Sequence, residues 1–351
     1  MEVKVSVFGH FGEGEDLLNG QTVKTKTITE ELQNQLGREQ ILKFDTHGGW
    51  KVFFKAPHQV FFALRKSNNI IIFPAHNGLR VYAPLLILLK IFFGKRKLHY
   101  VVIGGWLPGF LSGRRLLSNV LRRFDGIYTE TENMKKALEK MGFKNTVVMP
   151  NCKKLAVLDE KELVYPNGTP LKLCTFSRVM KEKGIEDAVC AVIQANELLG
   201  YTAFALDIYG QIDANQTEWF ENLQNNFPKY VSYGGKVPFD KSVDILKNYF
   251  ALLFPTYYDG EGFAGTLIDA FSAGVPVIAS DWKYNAEIVN EKVGIVYPAK
   301  DRKALTDILM AVSRSPERLT KRKKECLEET KKYKIEDTVK ILVDKLQNNE
   351  R

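Results

Sequence analysis

The chain of 351 residues has four cysteines and five histidines, too few and too scattered to build a metal centre by spacing alone. Cys152, Cys174, Cys190 and Cys326 read as reduced thiols of a cytosolic protein and argue against a zinc site. The strand-like alternation of Met1–Phe8 gives the expectation of a chain without a signal peptide, and no internal repeat or low-complexity segment follows. One apolar run, Val81–Phe93, falls short of the roughly 20 residues that a spanning helix needs, and Lys90 interrupts it. A buried crossover helix and an interfacial helix lying in one leaflet both fit this run. The second reading draws on Lys95, Arg96, Lys97, Arg114, Arg115, Arg122 and Arg123 nearby. A dinucleotide fingerprint is missing too, because Gly9, Gly12 and Gly14 do not fit G-x-G-x-x-G.

What is present is a globular composition, 45% hydrophobic and 26% charged, on a chain long enough for two domains. The net charge of +9 is uneven. Residues 1–165 carry 25 Lys and Arg against 15 Asp and Glu, whereas residues 166–351 carry 25 against 26. A basic half beside a neutral half suggests different partners for the two, with nucleic acid, an anionic membrane surface and a phosphorylated acceptor all reasonable for the first. A solvated basic surface without a partner fits the charge equally well.

Short apolar strands alternate with helical stretches in both halves. Strands are expected from Val3–Phe8 through Thr146–Met149, and again from Lys172–Phe176 through Gly294–Tyr297. Helices are expected at 133–141, 185–199, 242–249 and 302–313. That rhythm is the mark of α/β proteins with doubly wound parallel sheets, which hold ligands outside the carboxyl ends of their strands. Pro150–Lys154 through Tyr165–Pro170, rich in Pro, Gly, Asn and charge, reads as a linker. The expected division is one Rossmann-like domain at 1–165 and a second at 166–330. A C-terminal helix at 331–351 would pack back toward the first domain, and the tail from Pro316 reads as two helices separated near Tyr333-Lys334.

The segment Asp259–Ala279 is the most informative. Glu261 stands in a glycine-rich turn and Asp269 follows eight positions later. Leu267, Ile268, Phe271 and Gly274 fit a helix opening near Ala264, and Val275–Ala279 fits a buried parallel strand. Unpartnered amides at such a helix start form an anion site, and a carboxylate beside it suits a ligand with both phosphates and hydroxyls, such as a sugar nucleotide. Earlier in the same half, Arg178 and Lys183 follow the strand Leu171–Phe176, where a sheet of this kind presents its ligand.

These motifs resemble the donor domain of retaining glycosyltransferases of family 4, the group 1 enzymes of GT-B architecture. Arg178, Lys183 and Gly184 match that family's Arg, Lys and Gly, and Glu261-Gly-Phe-Ala-Gly-Thr-Leu-Ile-Asp-Ala270 resembles its E-G-F-G-x-x-x-x-E-A element. The resemblance covers about residues 171–310, through Ala273–Ala279, Ala286–Val289 and Gly294–Pro298. It implies two Rossmann-like doubly wound domains facing across a cleft, with acceptor binding for the first and donor binding for the second. It also implies catalytic roles for Arg178, Lys183 and Glu261: the two bases stabilise the departing diphosphate, while Glu261 orients the transferred sugar. Gly262, Phe263, Ala264, Gly265 and Thr266 would complete the phosphate clamp, Asp269 would reach the ribose, and Lys236 and Val237, with Gly210 and Gly235, would lie near the base. No metal is then required, and no Asp-x-Asp pair is placed to hold one. Two departures stand out: Asp269 replaces a glutamate, and Gly104-Gly105 stand where many family members carry a histidine. His10, Gly12 and His76 are the acceptor-side candidates in the first half.

The expected function is a metal-independent retaining hexosyltransferase without a cofactor, acting on a nucleoside-diphosphate sugar, with a UDP-sugar as donor. Its acceptor would be a glycan or a lipid-diphosphate-linked glycan, in bacterial surface polysaccharide synthesis. It would work in the cytoplasm, at the inner face of the membrane if the basic half makes peripheral contact. The alternative from a different class is a nucleic-acid or anionic-surface binding protein without transferase activity. No recognisable nucleic-acid module accompanies the charge, so no nucleic-acid partner is expected. A third option is a GT-B protein that binds donor without turning it over.

Overall fold

The computed structural model describes residues 4–12, 14, 20–49, 51–154, 156–165 and 168–348. Expected features at Val3, Glu13, Asn19, Pro166, Asn167 and 349–351 lie outside the described residues. The chain divides into two compact units, residues 1–154 with 333–351, and residues 155–332. The first break therefore falls at Lys154/Leu155, ahead of the 165/166 boundary read from composition.

The first unit holds a six-stranded parallel sheet of β1 (Val5–Gly9), β2 (Ile41–Asp45), β3 (Asn69–Ile72), β4 (Lys97–Val101), β5 (Gly126–Thr129) and β6 (Thr146–Val148). Its strand order is β2-β1-β3-β4-β5-β6. The inner strands are apolar on both faces, as a sheet covered by helices on each side requires. One core cluster joins Val5, Val7, Ile28 and Leu32 to Ile335, Val339 and Leu342, so the final helix Ile335–Asn348 packs against helix Gly20–Leu36 within this unit. Gln35 Nε2 donates to the Glu336 carbonyl at 3.0 Å along the same seam.

The apolar run at 81–93 belongs to the crossover helix His76–Lys90 and the turn after it. Tyr82, Ala83 and Leu86 are buried while Leu88, Ile91 and Phe92 are exposed, so only one side of the run serves the core. The charged tail forms Glu317–Thr320, Lys323–Thr330 and Ile335–Asn348, one helix more than the two read from its composition.

The second unit repeats the plan with β7 (Leu171–Phe176), β8 (Phe204–Tyr209), β9 (Val231–Gly235), β10 (Ala251–Phe254), β11 (Val277–Asp281) and β12 (Gly294–Pro298). All are parallel, in the order β12-β11-β10-β7-β8-β9. This is the doubly wound order in which the winding reverses between the first and fourth strands of the sheet, here β7 and β10. Its core is built on Leu173, Leu206, Ile208, Leu253 and Ile278, with Val189 and Val192 from helix Ile185–Leu199 above them.

Candidate functional site

The reversal between β7 and β10 positions the candidate site. The loop after β7 carries Arg178 and Lys183, and the loop after β10 carries Glu261. Gly184 brings the two loops together. It ends the short turn Lys181–Lys183 with φ +70°, and a Cβ there would collide with the Pro255 carbonyl, so only glycine permits this approach. Lys183 Nζ thereby reaches Glu261 Oε2 at 2.6 Å.

Glu261 is buried, and its Oε2 also accepts from Thr256 Oγ1 at 2.7 Å. Ser280 Oγ holds the Thr256 carbonyl at 2.5 Å, and Asn285 Nδ2 donates to the Ser280 carbonyl at 3.1 Å. The carboxylate therefore sits on a fixed scaffold. Its Oε1 makes no hydrogen bond among the described residues, and Lys183 has three donors of which Glu261 takes one. The Tyr258 ring lies 5.0 Å from Lys183 Nζ and shields one side of it.

Beyond Glu261 the residues Gly262, Phe263 and Ala264 lead into helix Gly265–Ser272. Ala264 is the N-cap, in extended conformation, and no side chain caps the first amides. Thr266 Oγ1, in the first turn, is buried without a hydrogen-bond partner. An uncapped helix start with an unsatisfied hydroxyl is suited to an anion. The helix closes in a Schellman motif, with Val275 N–H donating to the Ala270 carbonyl and Gly274 N–H to that of Phe271 around Gly274 at φ +62°. This accounts for Ala273-Gly-Val between helix and β11, and it moves the strand to Val277–Asp281, two residues later than expected.

The remaining donor-side residues scatter around this centre. Arg178 does not join Lys183 and Glu261 in the structure; it is half exposed and meets Asp213 Oδ2 at 3.4 Å. Asp269 lies in helix Gly265–Ser272 and is 2% exposed. Lys236 and Val237 follow β9, next to Gly235, whose carbonyl accepts from Gly210 N–H at 2.9 Å. Tyr233 OH donates to the Gly210 carbonyl at 2.8 Å and braces the same corner.

In the first unit the corresponding reversal lies between β1 and β3. His10 follows β1 and pairs through Nδ1 with Thr22 Oγ1 at 2.8 Å and through Nε2 with His47 Nδ1 at 2.9 Å. Gly12, at φ +59°, turns the chain just after it. His76 opens the helix after β3 and lies over Trp106 with ring centres 4.0 Å apart, with Phe110 edge-on at 4.9 Å. Burial, then the guanidinium groups of Arg80 and Arg114, hold the His76 pKa below its ordinary value.

Sequence reasoning missed Thr256, Asp213, His47 and the Trp106–Phe110 platform. Thr256 was within reach of the rule that ligands meet strand carboxyl ends, since it stands two residues after β10. The contacts of Asp213 with Arg178, of His47 with His10 and of His76 with the Trp106–Phe110 platform join residues 30 or more positions apart, for which no local pattern exists.

Residues 160–333 match the model of the family described as glycosyl transferases group 1. A curated relative, the GtfA subunit of the UDP-N-acetylglucosamine–peptide N-acetylglucosaminyltransferase of Streptococcus gordonii, is 26% identical over 194 residues. That match takes in 54% of this chain and spans 37% of the relative's length. Among solved structures, Anabaena HepE in complex with UDP superposes with a TM-score of 0.77 at 14% identity, covering 99% of this chain and all of that one. Sucrose-phosphate synthase of Thermosynechococcus elongatus gives 0.76 at 16% identity, covering 97% and 98%. These structures share the two-domain GT-B fold. Through residues 160–333, just under half of its length, the chain is similar to the group 1 glycosyl transferases.

Proposed function

We propose that the protein is a metal-independent retaining glycosyltransferase that moves a hexosyl unit from a UDP-sugar to a glycan or lipid-diphosphate-linked glycan acceptor in bacterial surface polysaccharide synthesis. The observation that carries this reading is the Lys183–Glu261 pair at the β7/β10 reversal, beside the uncapped start of helix Gly265–Ser272. The UDP bound to HepE supports a uridine donor.

In this reading the diphosphate lies against the amides of Gly265 and Thr266, and the unspent donors of Lys183 face it. Negative charge grows on that diphosphate as the glycosidic bond breaks, and fixed positive groups stabilise it most at that moment. Arg178 adds a second cation after exchanging Asp213 for phosphate. Glu261 Oε1 accepts from a hydroxyl of the transferred sugar and fixes the ring. The acceptor hydroxyl then attacks from the face that the leaving group vacates, forming the new glycosidic bond while its proton passes to the departing diphosphate oxygen. Asp269 and the corner at Gly210 and Lys236–Val237 serve the nucleoside.

Calorimetric titration with UDP, followed by turnover of a panel of UDP-sugars read as UDP release, tests the proposal. Glu261→Ala, folded by circular dichroism, should bind UDP while kcat falls on the order of a hundredfold to a thousandfold. Wild-type turnover in that variant, or no UDP binding in the parent, would overturn the reading. The anomeric configuration of the product, read by proton coupling, tests retention separately.

A further inference from the structure

The first unit contains a surface that holds none of the donor-side residues. From residue 46 to residue 124 the chain has no Asp or Glu at all, yet it carries thirteen Lys and Arg. With 41 acids in 351 residues, an even spread would put about nine in such a stretch, so a solvated face of mixed charge is not what this segment builds. The same stretch holds most of the large apolar side chains that the protein exposes. Leu116 is 84% exposed, Phe92 78%, Phe54 75% and Ile91 74%, with Leu88, Phe61 and Phe62 also open. Exposed apolar groups scattered singly need no explanation, but a concentration on adjoining elements does.

These residues are on adjoining elements. Helix Lys51–Lys66 packs against helix His76–Lys90, which packs against helix Arg115–Leu121. Phe61 meets Phe93 edge-on at 5.3 Å, tying the first helix to the turn that presents Ile91 and Phe92. Not every base nearby is available: Lys90 and Lys97 pair with Asp125, and Arg96 donates to the Leu64 carbonyl and Asn68. By contrast, none of Arg114, Arg115, Arg122 and Arg123 pairs with a carboxylate among the described residues. Arg115 and Arg122 line a cavity of about 330 Å³ with Ser118 and Asn119, beside the exposed Leu116. Arg122 donates to Asn119 Oδ1 at 2.6 Å and to the Met141 carbonyl at 2.5 Å, which holds its guanidinium at the cavity without neutralising it. With Arg115 and the Ser118 hydroxyl it gives the cavity the chemistry to take a phosphate.

We propose that this helical face docks on an anionic lipid bilayer, inserting Leu116, Phe92, Ile91 and Phe54 into the headgroup region while the Arg115–Arg122 cavity takes a lipid phosphate. A face that is both apolar and basic, with no acid to repel the headgroups, matches an interfacial anchor. Nucleic acid would satisfy the charge but would leave the aliphatic Ile91 and Leu116 without a role. The surface shares no residue with the donor site, and its test needs no sugar nucleotide, so it fails or stands independently of the transferase reading.

The test is flotation of the full chain with vesicles of phosphatidylcholine alone and of phosphatidylcholine and phosphatidylglycerol in equal parts. Binding should occur on the anionic vesicles and weaken at least tenfold between low and physiological salt. Ile91→Ser/Phe92→Ser should cost at least tenfold at low salt. Arg115→Ala, which removes no hydrogen bond or ion pair among the described residues, should reduce binding to anionic vesicles with unchanged thermal unfolding. Undiminished flotation of the serine variant would overturn the proposal. So would absent binding in the parent, tighter binding to duplex DNA than to vesicles, or a parent dimer that the serine variant turns into a monomer.

Discussion

Each unit buries one lysine–glutamate pair on its sheet, and the two pairs behave differently. In the first unit Lys24, from helix Gly20–Leu36, reaches Glu130, just after β5, at 2.5 Å, with side chains 5% and 3% exposed. In the second, Lys183 reaches Glu261 at 2.6 Å with side chains 13% and 7% exposed. The chemistry is nearly the same and the surroundings are not. Lys24–Glu130 joins the helix after β1 to the end of β5, two strands beyond β3, and clamps that helix to the sheet near Cys152, whose thiol is pushed up to about 11, chiefly by burial. Lys183–Glu261 lies at its reversal, keeps hydrogen-bonding capacity in reserve and adjoins an uncapped helix. A buried ion pair by itself therefore marks no site. What marks one is its place in the winding and the donors and acceptors left over.

The largest expected effect separates the pairs. Lys24→Met leaves Glu130 as a buried charge without its lysine and should cost about 3–5 kcal/mol in urea unfolding. The variant that still folds should bind UDP as the parent does. Loss of UDP affinity in that folded variant would erase the distinction.

Next in size is an acid-limb effect that also belongs to the first unit. His99 on β4 is fully buried between the Tyr128 hydroxyl at 3.1 Å and Asn69 Oδ1 at 3.3 Å, and burial lowers its pKa to about 4. The folded ring stays neutral while the unfolded ring takes a proton near its ordinary 6.5. Stability is therefore full above pH 6.5 and is lost as pH falls toward 4, by about 3 kcal/mol in total. His99→Gln should flatten that part of the unfolding profile relative to the parent, whatever it does to stability at neutral pH. Parallel profiles for the two proteins between pH 6.5 and 4 would show that His99 carries no such linkage.

Lys183→Met comes third. Its partner keeps Thr256 as a donor and some access to water, so the stability loss should be smaller than for Lys24→Met. UDP affinity should instead fall by at least tenfold, as expected when a charge-assisted contact of about 1.5–3 kcal/mol is lost. If Lys183→Met keeps UDP affinity, the lysine serves the fold and the contrast with Lys24 disappears.

Much of this arrangement was legible before the structure. The alternation of apolar strands and helices gave both sheets, because parallel strands buried on two faces leave a strong apolar signal. The spacing of Leu267, Ile268 and Phe271 located helix Gly265–Ser272 almost to the residue. Lys183 and Glu261 stood out because one follows the carboxyl end of a strand and the other sits in a glycine-rich turn before a helix start, and both match the family pattern. Of the glycines beside them, Gly184 is the one that the loop approach requires. Lys24 and Glu130 were invisible, since 106 residues separate them and each alone resembles any surface charge. The exposed side of the run at 81–93 was equally hidden, because periodicity there cannot say which of two apolar faces meets the core.

Arg178 supplies the smallest and most discriminating stability effect. It was grouped with Lys183 by spacing, yet the structure gives it to Asp213 at 3.4 Å in a half-exposed pair. Exposed pairs contribute about 0–1 kcal/mol, because water competes for both charges and two long side chains lose freedom. Arg178→Ala should therefore leave urea unfolding within about 1 kcal/mol of the parent. Its effect on UDP-sugar turnover should nevertheless be large if the guanidinium leaves Asp213 for the diphosphate. Asp213→Asn provides the converse measurement: it frees Arg178 without removing it, so UDP affinity should hold or rise by a few-fold. A fall in UDP affinity with Asp213→Asn, matching that of Arg178→Ala, would mean that the pair acts as a unit. Arg178 would then support the loop after β7 rather than grip phosphate, leaving Lys183 and the start of helix Gly265–Ser272 to carry the leaving group.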